Sequence, residues 1–264
     1  MPLAMEVVGG YVENPGDTIQ PAIPLTGDSF LVKNANPTRK NFLGSIWAYL
    51  HAPGVVRVRS PKMHDNVQGI NFWIQANDVS PPLGHDVVQN VYPQDLLTVE
   101  LSGSSTVGHI EQVALLMYYE DLPGVSSRLA NWTDIAGRIR NIFTVRVPIT
   151  ATSTNSWTGT TAINSYVDLF KANVDYAILG YLTMPMITAV GIRGPDTGNM
   201  RVGGPGFGAI YELSRDWFVQ LNKKWGVPTI PIINGSNKFS TTVDVMANEM
   251  ITEAKITLIM AELG

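Results

Sequence analysis

The feature that most constrains the fold is a strand pattern that occurs twice, once near the middle of the chain and once at its end. In residues 251–262 apolar side chains alternate with polar ones, which is the period of two expected for a half-buried β-strand. Residues 110–120 show the same pattern. The apolar positions that match are Val113, Leu115 and Met117 in the first copy and Ile256, Leu258 and Met260 in the second.

Further matched segments occur in the same order in both halves of the chain. They are residues 31–36 with 169–173, Leu43-Gly44 with Leu179-Gly180, and 56–61 with 190–195. The collinear order predicts two tandem copies of one β unit of about 130 residues, within the usual size of a domain. A single irregular β protein is the alternative, since alternating strands resemble one another by chance.

The composition limits the classes of partner. Charged residues are only 15% of the 264 residues, whereas hydrophobic residues are 45%, so the chain has few charges with which to cover its surface. The net charge of −4 provides no general basic field for nucleic acid. The sequence contains no cysteine, which excludes disulfides and thiolate chemistry.

The first part of the chain reads as an extended arm followed by strands. We expect residues 1–28 to be the arm, because Gly9-Gly10 and the prolines between 15 and 24 interrupt any long element. This segment shows no signal-peptide pattern. From residue 29 to 120, short apolar runs separated by turn formers predict a sandwich or barrel.

A helix is predicted to connect the two units. Leu129, Trp132, Ile135 and Ile139 recur at steps of three and four, which places them on one face of a helix over residues 128–142. This helix would pack on the preceding sandwich or clamp the two halves together. The predicted division is an arm and first unit over 1–127, the connecting helix over 128–142 and a second unit over 143–264.

No pattern in the sequence predicts catalysis, a metal or a cofactor. The four histidines (His51, His64, His85 and His109) lack the spacing of a metal site. The glycine-rich segment 203–208 lacks the Lys-Ser/Thr of a phosphate loop, and no G-x-S-x-G elbow is present. Glu100, Glu111, Glu120 and Asp121 are the candidates for a carboxylate pair of the glycosidase type, whose approach is purely spatial. Glu111 and Glu120 flank a strand, as ordinary edge charges do.

The six tryptophans offer the other candidate binding groups. Trp47, Trp73, Trp132 and Trp217 lie within apolar patterns and are predicted to be core residues. Trp157 lies in a polar loop, and we expect it to be exposed, where an indole can stack on a sugar ring.

The tandem pairing of 113–117 with 256–260, and of 56–61 with 190–195, resembles the double jelly-roll major capsid proteins of the adenovirus and tectivirus lineage. The similarity is to compact members from membrane-containing bacterial or archaeal viruses. The resemblance implies a mainly β fold of two tandem antiparallel sandwiches with a few short helices. It carries over no functional residues, because the matched segments are not diagnostic motifs.

The resemblance further implies a structural protein and not an enzyme. Its chains would form homotrimers that imitate a hexamer, contact neighbouring capsomers, tile an icosahedral shell and belong to the virion after synthesis in the host cytoplasm. Minor capsid or membrane proteins are further expected partners. Residues 1–28 contain no Lys or Arg, so direct nucleic-acid binding is not expected. The alternatives are a two-domain β-sandwich protein that binds or modifies glycans, and a single-jelly-roll capsid protein of a picorna-like virus.

Overall fold

The computed structural model describes residues 3–63, 65–76, 79, 89–206 and 215–264. The strands are β1 Leu3–Glu13, β2 Gln20–Pro21, β3 Ile23–Pro24, β4 Asn41–Tyr49, β5 Gly54–Arg59, β6 Ile70–Ile74, β7 Gln89–Asn90, β8 Thr98–Leu101, β9 Ile110–Glu120, β10 Leu129–Ala130, β11 Ile139–Ala151, β12 Thr158–Ala162, β13 Asp175–Leu182, β14 Ile187–Arg193, β15 Val202–Pro205, β16 Ile230–Asn234, β17 Thr242–Ala247 and β18 Ile251–Leu263. The α-helices described are α1 Trp132–Ile135 and α2 Trp217–Trp225, and 3₁₀ turns span Ala136–Arg138 and Gly235–Asn237.

The strands form two sandwiches with the same strand order. In the first sandwich, one sheet has the order β3-β1-β9-β4-β7 and the other has the order β2-β8-β5-β6. In the second, the orders are β10-β16-β13-β18-β11 and β12-β17-β14-β15. If β3 and β10 are set aside as additions at sheet edges, each strand of one sandwich has a counterpart in the other. This order is the jelly roll, so the predicted fold class, a double jelly roll, is confirmed.

A shared irregularity supports the equivalence of the two sandwiches. The last strands of the two sandwiches, β9 and β18, are called the closing strands. The strands β4 and β13 each carry a β-bulge at the same place against the closing strand of their own sandwich. The pairs that flank it are Leu43–Met117 and Ser45–Leu116 in the first sandwich, and Ile178–Met260 and Gly180–Ile259 in the second. Gly44 therefore corresponds to Leu179, one residue away from the sequence match of Gly44 with Gly180.

The two closing strands differ in how they are buried. In β9, Val113, Leu115 and Met117 lie inside the first sandwich, while Leu116 and Tyr118 on the opposite face join the core cluster of the second sandwich. Both faces of β9 are therefore buried. In β18, one face carries the fully buried Ile256, Leu258 and Met260. The other face is exposed at Lys255, half-buried at Thr257 and Ile259, and buried at Ala261.

The predicted connecting helix is wrong. Leu129 lies in β10, only Trp132 and Ile135 lie in the single turn of α1, and Ile139 begins β11. From Ile139 onward the chain pairs with β18. The apolar alternation of this segment matches the long partner strand, and burial against the sheet outweighs the weak helical pattern.

The predicted arm is also wrong, because β1 is a long strand paired with β9 along its whole length. Gly9 and Gly10 are used here for close packing. A Cβ at Gly9 would lie 2.7 Å from Leu25, and one at Gly10 would lie 2.5 Å from Phe30. Glycine in a strand marks such close approach.

Other segments of the chain are largely irregular. Residues 30–33 contribute one isolated bridge, Leu31 to Leu96, and residues 166–172 are irregular. His64 and His85 lie outside the described residues. The helix α2 ends at Gly226, whose φ of 67° suits glycine. No helix among the described residues is long and apolar enough to cross a membrane.

Candidate functional site

The contact between the two jelly rolls is the most elaborate polar and apolar assembly in the described chain. The outer face of β1, β4 and β9 in the first roll packs on β14, β15 and β17 of the second roll and on α2. The first roll thus contributes the sheet that contains its closing strand β9. The second roll contributes the sheet that does not contain its closing strand β18. We call this surface the inter-roll contact.

Hydrogen bonds fix the register at the centre of the inter-roll contact. The buried indole of Trp47 donates from Nε1 to the carbonyl of Thr188 at 2.8 Å. The side-chain amide of Gln112 donates to the carbonyl oxygens of Ala247 at 2.8 Å and of Thr154 at 2.6 Å, and its Oε1 accepts from the hydroxyl of Thr188. A fully buried glutamine with these partners satisfies its polar atoms across the contact.

Asp28 forms a second polar centre. Its carboxylate is 1% exposed and accepts three hydrogen bonds. Oδ2 accepts from the amide of Gly9 and from Nε1 of Trp157, both at 2.7 Å, and Oδ1 accepts from Nη1 of Arg201 at 3.0 Å. Arg201 in turn donates from Nε to Asp244 at 3.0 Å. An acidic group from the first roll is therefore buried against a guanidinium and an indole from the second.

Burial controls the protonation of this region. Desolvation raises the pKa of Asp28 above its ordinary value, although the hydrogen bonds from Trp157 and Gly9 and the charge of Arg201 oppose the change. Desolvation likewise raises the pKa of Glu6, and the ion pair with Lys33 opposes that change. Both carboxyl groups are therefore easier to protonate than exposed ones.

Aromatic packing closes one side of the inter-roll contact. Phe42 stacks on Tyr118 with ring centroids 4.7 Å apart, and Trp225 at the end of α2 meets the ring of Phe42 edge-on at 5.2 Å. A Cβ at Gly44 would clash with Cη2 of Trp225. The bulge glycine of β4 therefore makes room for the indole of the second roll.

A charge pair recurs at equivalent positions on the outer faces of both rolls. Nε of Arg59 lies 2.9 Å from Glu100 in the first roll, and Nε of Arg193 lies 3.5 Å from Asp244 in the second. The registers place both pairs at the same point of the sheet. Arg57 adds a second guanidinium to Glu100 at 2.6 Å, and the hydrogen bonds from both arginines, Arg59 first, lower the pKa of Glu100.

Two of the candidate histidines, His51 and His109, lie beside the candidate carboxylate Glu111. The rings of His51 and His109 stack at 4.3 Å, and buried Glu111 accepts from the amides of His51 and Ser104. Among the described residues no group of three or more His, Cys, Asp or Glu side chains is arranged to hold a metal ion. Glu111 is therefore a buried carboxylate that holds the backbone at His51 and Ser104 in place, rather than an edge charge.

Two tryptophan predictions are wrong. Trp157, predicted to be exposed, is 9% exposed and bonds to Asp28, so it offers no platform for a sugar. Trp73, predicted to be core, is 76% exposed on β6. Trp47 and Trp217 are fully buried as predicted, and Trp132 is half-buried. Sequence alternation does not reveal which of two apolar faces points into the sandwich.

The inter-roll contact joins two different surfaces and is therefore heterologous. Each roll has both surfaces, the outer face of its closing-strand sheet and the outer face of its other sheet. Inside the chain, the first roll uses the former and the second roll uses the latter. The outer face of β11 and β18 and the outer face of β5 and β6 consequently take no part in the inter-roll contact.

Comparisons with known proteins show only distant structural likeness. No protein-family model matches the chain, and no curated protein matches it. Similar solved structures include the exported protein XepA of PBSX, at 8% identity with a TM-score of 0.28 over 98% of this chain and 86% of that one.

Two viral structures are also similar. The structure of Sulfolobus Turreted Icosahedral Virus matches at 10% identity with a TM-score of 0.24, over 100% of this chain and 91% of that one. The major capsid protein P2 of Bacteriophage PM2 matches at 8% identity with a TM-score of 0.21, over 99% and 98% of the two chains. At such scores the fold assignment rests on the strand orders and registers of the protein itself.

Proposed function

We propose that the chain is a viral major capsid protein whose three copies form a pseudo-hexameric ring of six jelly rolls. The observation that carries the proposal is the heterologous inter-roll contact. A heterologous contact that is repeated produces either a closed ring or an open filament. Each chain contains one complete copy of the contact and leaves one half of another copy at each end.

The composition is consistent with this assembly. With charged residues at 15% of the chain, large sheet faces can be buried against neighbours at a low desolvation cost. The partners would be two further copies in the ring, then neighbouring capsomers and minor capsid or membrane proteins, within a virion formed in the host cell. The protein would have no enzymatic role.

The solution mass measured by light scattering, with electron microscopy of the same sample, tests the proposal. We expect a mass near three chains and ring-shaped particles or shells. A protein that remains monomeric at high concentration, forms no particles and is retained on a glycan array would overturn the proposal in favour of a glycan-binding sandwich.

Direct contact with the genome is not part of the proposed function. The segment that lacks Lys and Arg contributes β1, which lies between β3 and β9 in a sheet, instead of a basic arm. We expect purified protein to bind duplex DNA weakly at about 0.15 M salt. Tight binding under that condition, measured by fluorescence anisotropy, would contradict this part of the proposal.

A further inference from the structure

We propose that the outer face of β11 and β18 binds the outer face of β5 and β6 in a second copy of this chain, in the register of the inter-roll contact. The inference rests on the proposed function and adds the surfaces and the residues. We call the first surface the donor face and the second the acceptor face.

The donor face is the equivalent of a surface that is already covered inside the chain. Equivalent positions follow from the pairing of β1 with β9 and of β11 with β18. The positions Met5, Val7 and Gly9 on β1 correspond to Ile142, Thr144 and Arg146 on β11. Met5 and Val7 are fully buried by the second roll, whereas Ile142 is 58% exposed.

The donor face also has the character of an uncovered interface. In the described sheet β11 is an edge strand of thirteen residues, and a long edge strand pairs readily with another chain unless it is covered. Exposed Tyr166, Val167 and Leu169 lie beside it and line a groove of about 300 Å³ together with Thr144 and Arg146. Exposed apolar groups collected on one face mark an interaction surface.

The acceptor face is the equivalent of the surface that receives the first roll. The pairing of β5 with β6 and of β14 with β15 sets the correspondence. The positions Gly191, Gly203 and Pro205 of the second roll correspond to Arg57, Asn71 and Trp73 of the first. The side chains of Asn71 and Trp73 are exposed.

The side-chain volumes on the two faces are exchanged between the two contacts. Inside the chain, the first roll contributes the large side chains of Trp47 and Tyr118, and the second roll is small at the three positions just named. The equivalents of Trp47 and Tyr118 in the second roll are the half-buried Leu182 and the small Ala261, which is already buried within the chain, while the acceptor face carries the large side chains.

The opposite exchange occurs at the other end of the contact. A Cβ at Gly9 would lie 2.8 Å from Sδ of Met246, so a small residue of the first roll faces a large residue of the second roll inside the chain. The equivalents are the large Arg146 and the small Ser102. Reciprocal changes at equivalent positions are expected where two surfaces fill the same volume.

The register also specifies a backbone hydrogen bond. Inside the chain the amide of Val7 donates to the carbonyl of Arg201 at 2.8 Å. By equivalence, the amide of Thr144 donates to the carbonyl of Gly69 in the next chain. This places Thr144 of one copy beside β6 of its neighbour.

Cysteine cross-linking tests the surfaces, since the natural sequence contains no cysteine. Thr144→Cys and Asn71→Cys are made singly and together, and the full chain is treated with a short bis-maleimide. A mixture of the two single variants should give covalent dimers and nothing larger. The double variant should give a ladder that ends at three chains, and each single variant alone should give no adduct above background.

A matched control replaces Thr144→Cys with Val107→Cys, which is 90% exposed in the turn between β8 and β9. Combined with Asn71→Cys, it should give at least tenfold less dimer. Trimers by light scattering without Thr144–Asn71 adducts would overturn this inference and leave the proposed function standing. A persistent monomer without adducts would overturn both, and dimers from either single variant alone would show a symmetric contact and overturn the inference.

Discussion

Replacement of Asp28 by alanine should uncouple the two jelly rolls. The substitution removes an acceptor from the amide of Gly9, the indole of Trp157 and the guanidinium of Arg201. Arg201 keeps Asp244 as a partner, which limits the loss. Removing one member of a buried charge pair costs about 3–5 kcal/mol. For a chain of this size we expect the melting temperature to fall by roughly 6–20 °C.

The assay is urea unfolding followed by tryptophan fluorescence and by circular dichroism. Because the inter-roll contact is weakened and the core of each roll is intact, the two probes should separate into two transitions. The matched control is Asp168→Ala, which removes an exposed partner of Lys238 and should leave the transition unchanged. Asp28→Asn keeps an acceptor for the indole, so its loss of stability should lie between those of Asp28→Ala and Asp168→Ala. A loss below about 1 kcal/mol for Asp28→Ala, in the range of a surface pair, would refute the reasoning.

Three further predictions follow from packing and protonation. Gly44→Val should cost about 1–3 kcal/mol by crowding Trp225, and less in a Trp225→Ala background, in urea unfolding; equal costs in both backgrounds would contradict this. Met260→Asp should yield insoluble protein because it buries an unpaired charge; a soluble variant with a normal melting curve would contradict it. Because burial raises the pKa of Glu6, its stabilising contribution is lost as pH rises through the raised value, so wild type should gain stability relative to Glu6→Gln as the pH is lowered towards 4.5, the ordinary value of the group; a constant difference would contradict it.

The sequence predicted the fold correctly where the interior face of a strand alone determines the alternation of apolar and polar residues. The alternation of apolar and polar residues in β18, and its repetition in β9, predicted the tandem fold, because both strands bury the same interior face. The segment 128–142 misled because its apolar residues are shared among β10, α1 and β11, and their spacing imitates a helix. In β1, glycines that read as breakers permit close packing against Leu25 and Phe30. Long-range packing determined the structure of these segments, and the local spacing of apolar residues does not reveal such packing.

The inter-roll contact was not predictable from spacing for a related reason. Asp28, Gln112 and Arg201 are separated widely in sequence and meet only because two sheets pack face to face. The buried outer face of β9 gave one signal, an apolar run without polar interruption from Val113 to Tyr119. Such a run is typical of a strand covered on both faces.

The differences between the two rolls are informative about which contacts are permanent. The shared bulge and the pairs Arg59–Glu100 and Arg193–Asp244 show that equivalent positions kept their roles. The large differences, Gly191 against Arg57 and Tyr118 against Ala261, lie on the outer faces. The faces joined within one chain hold a buried acid, a buried glutamine and an aromatic cluster, since they meet at fixed effective concentration and need not separate. In the proposed assembly, a second copy would cover the faces outside the inter-roll contact, and there the protein carries charged and polar groups such as Arg57, Asn71 and Arg146 among its apolar ones. Such groups would reduce aggregation of the free chain before assembly.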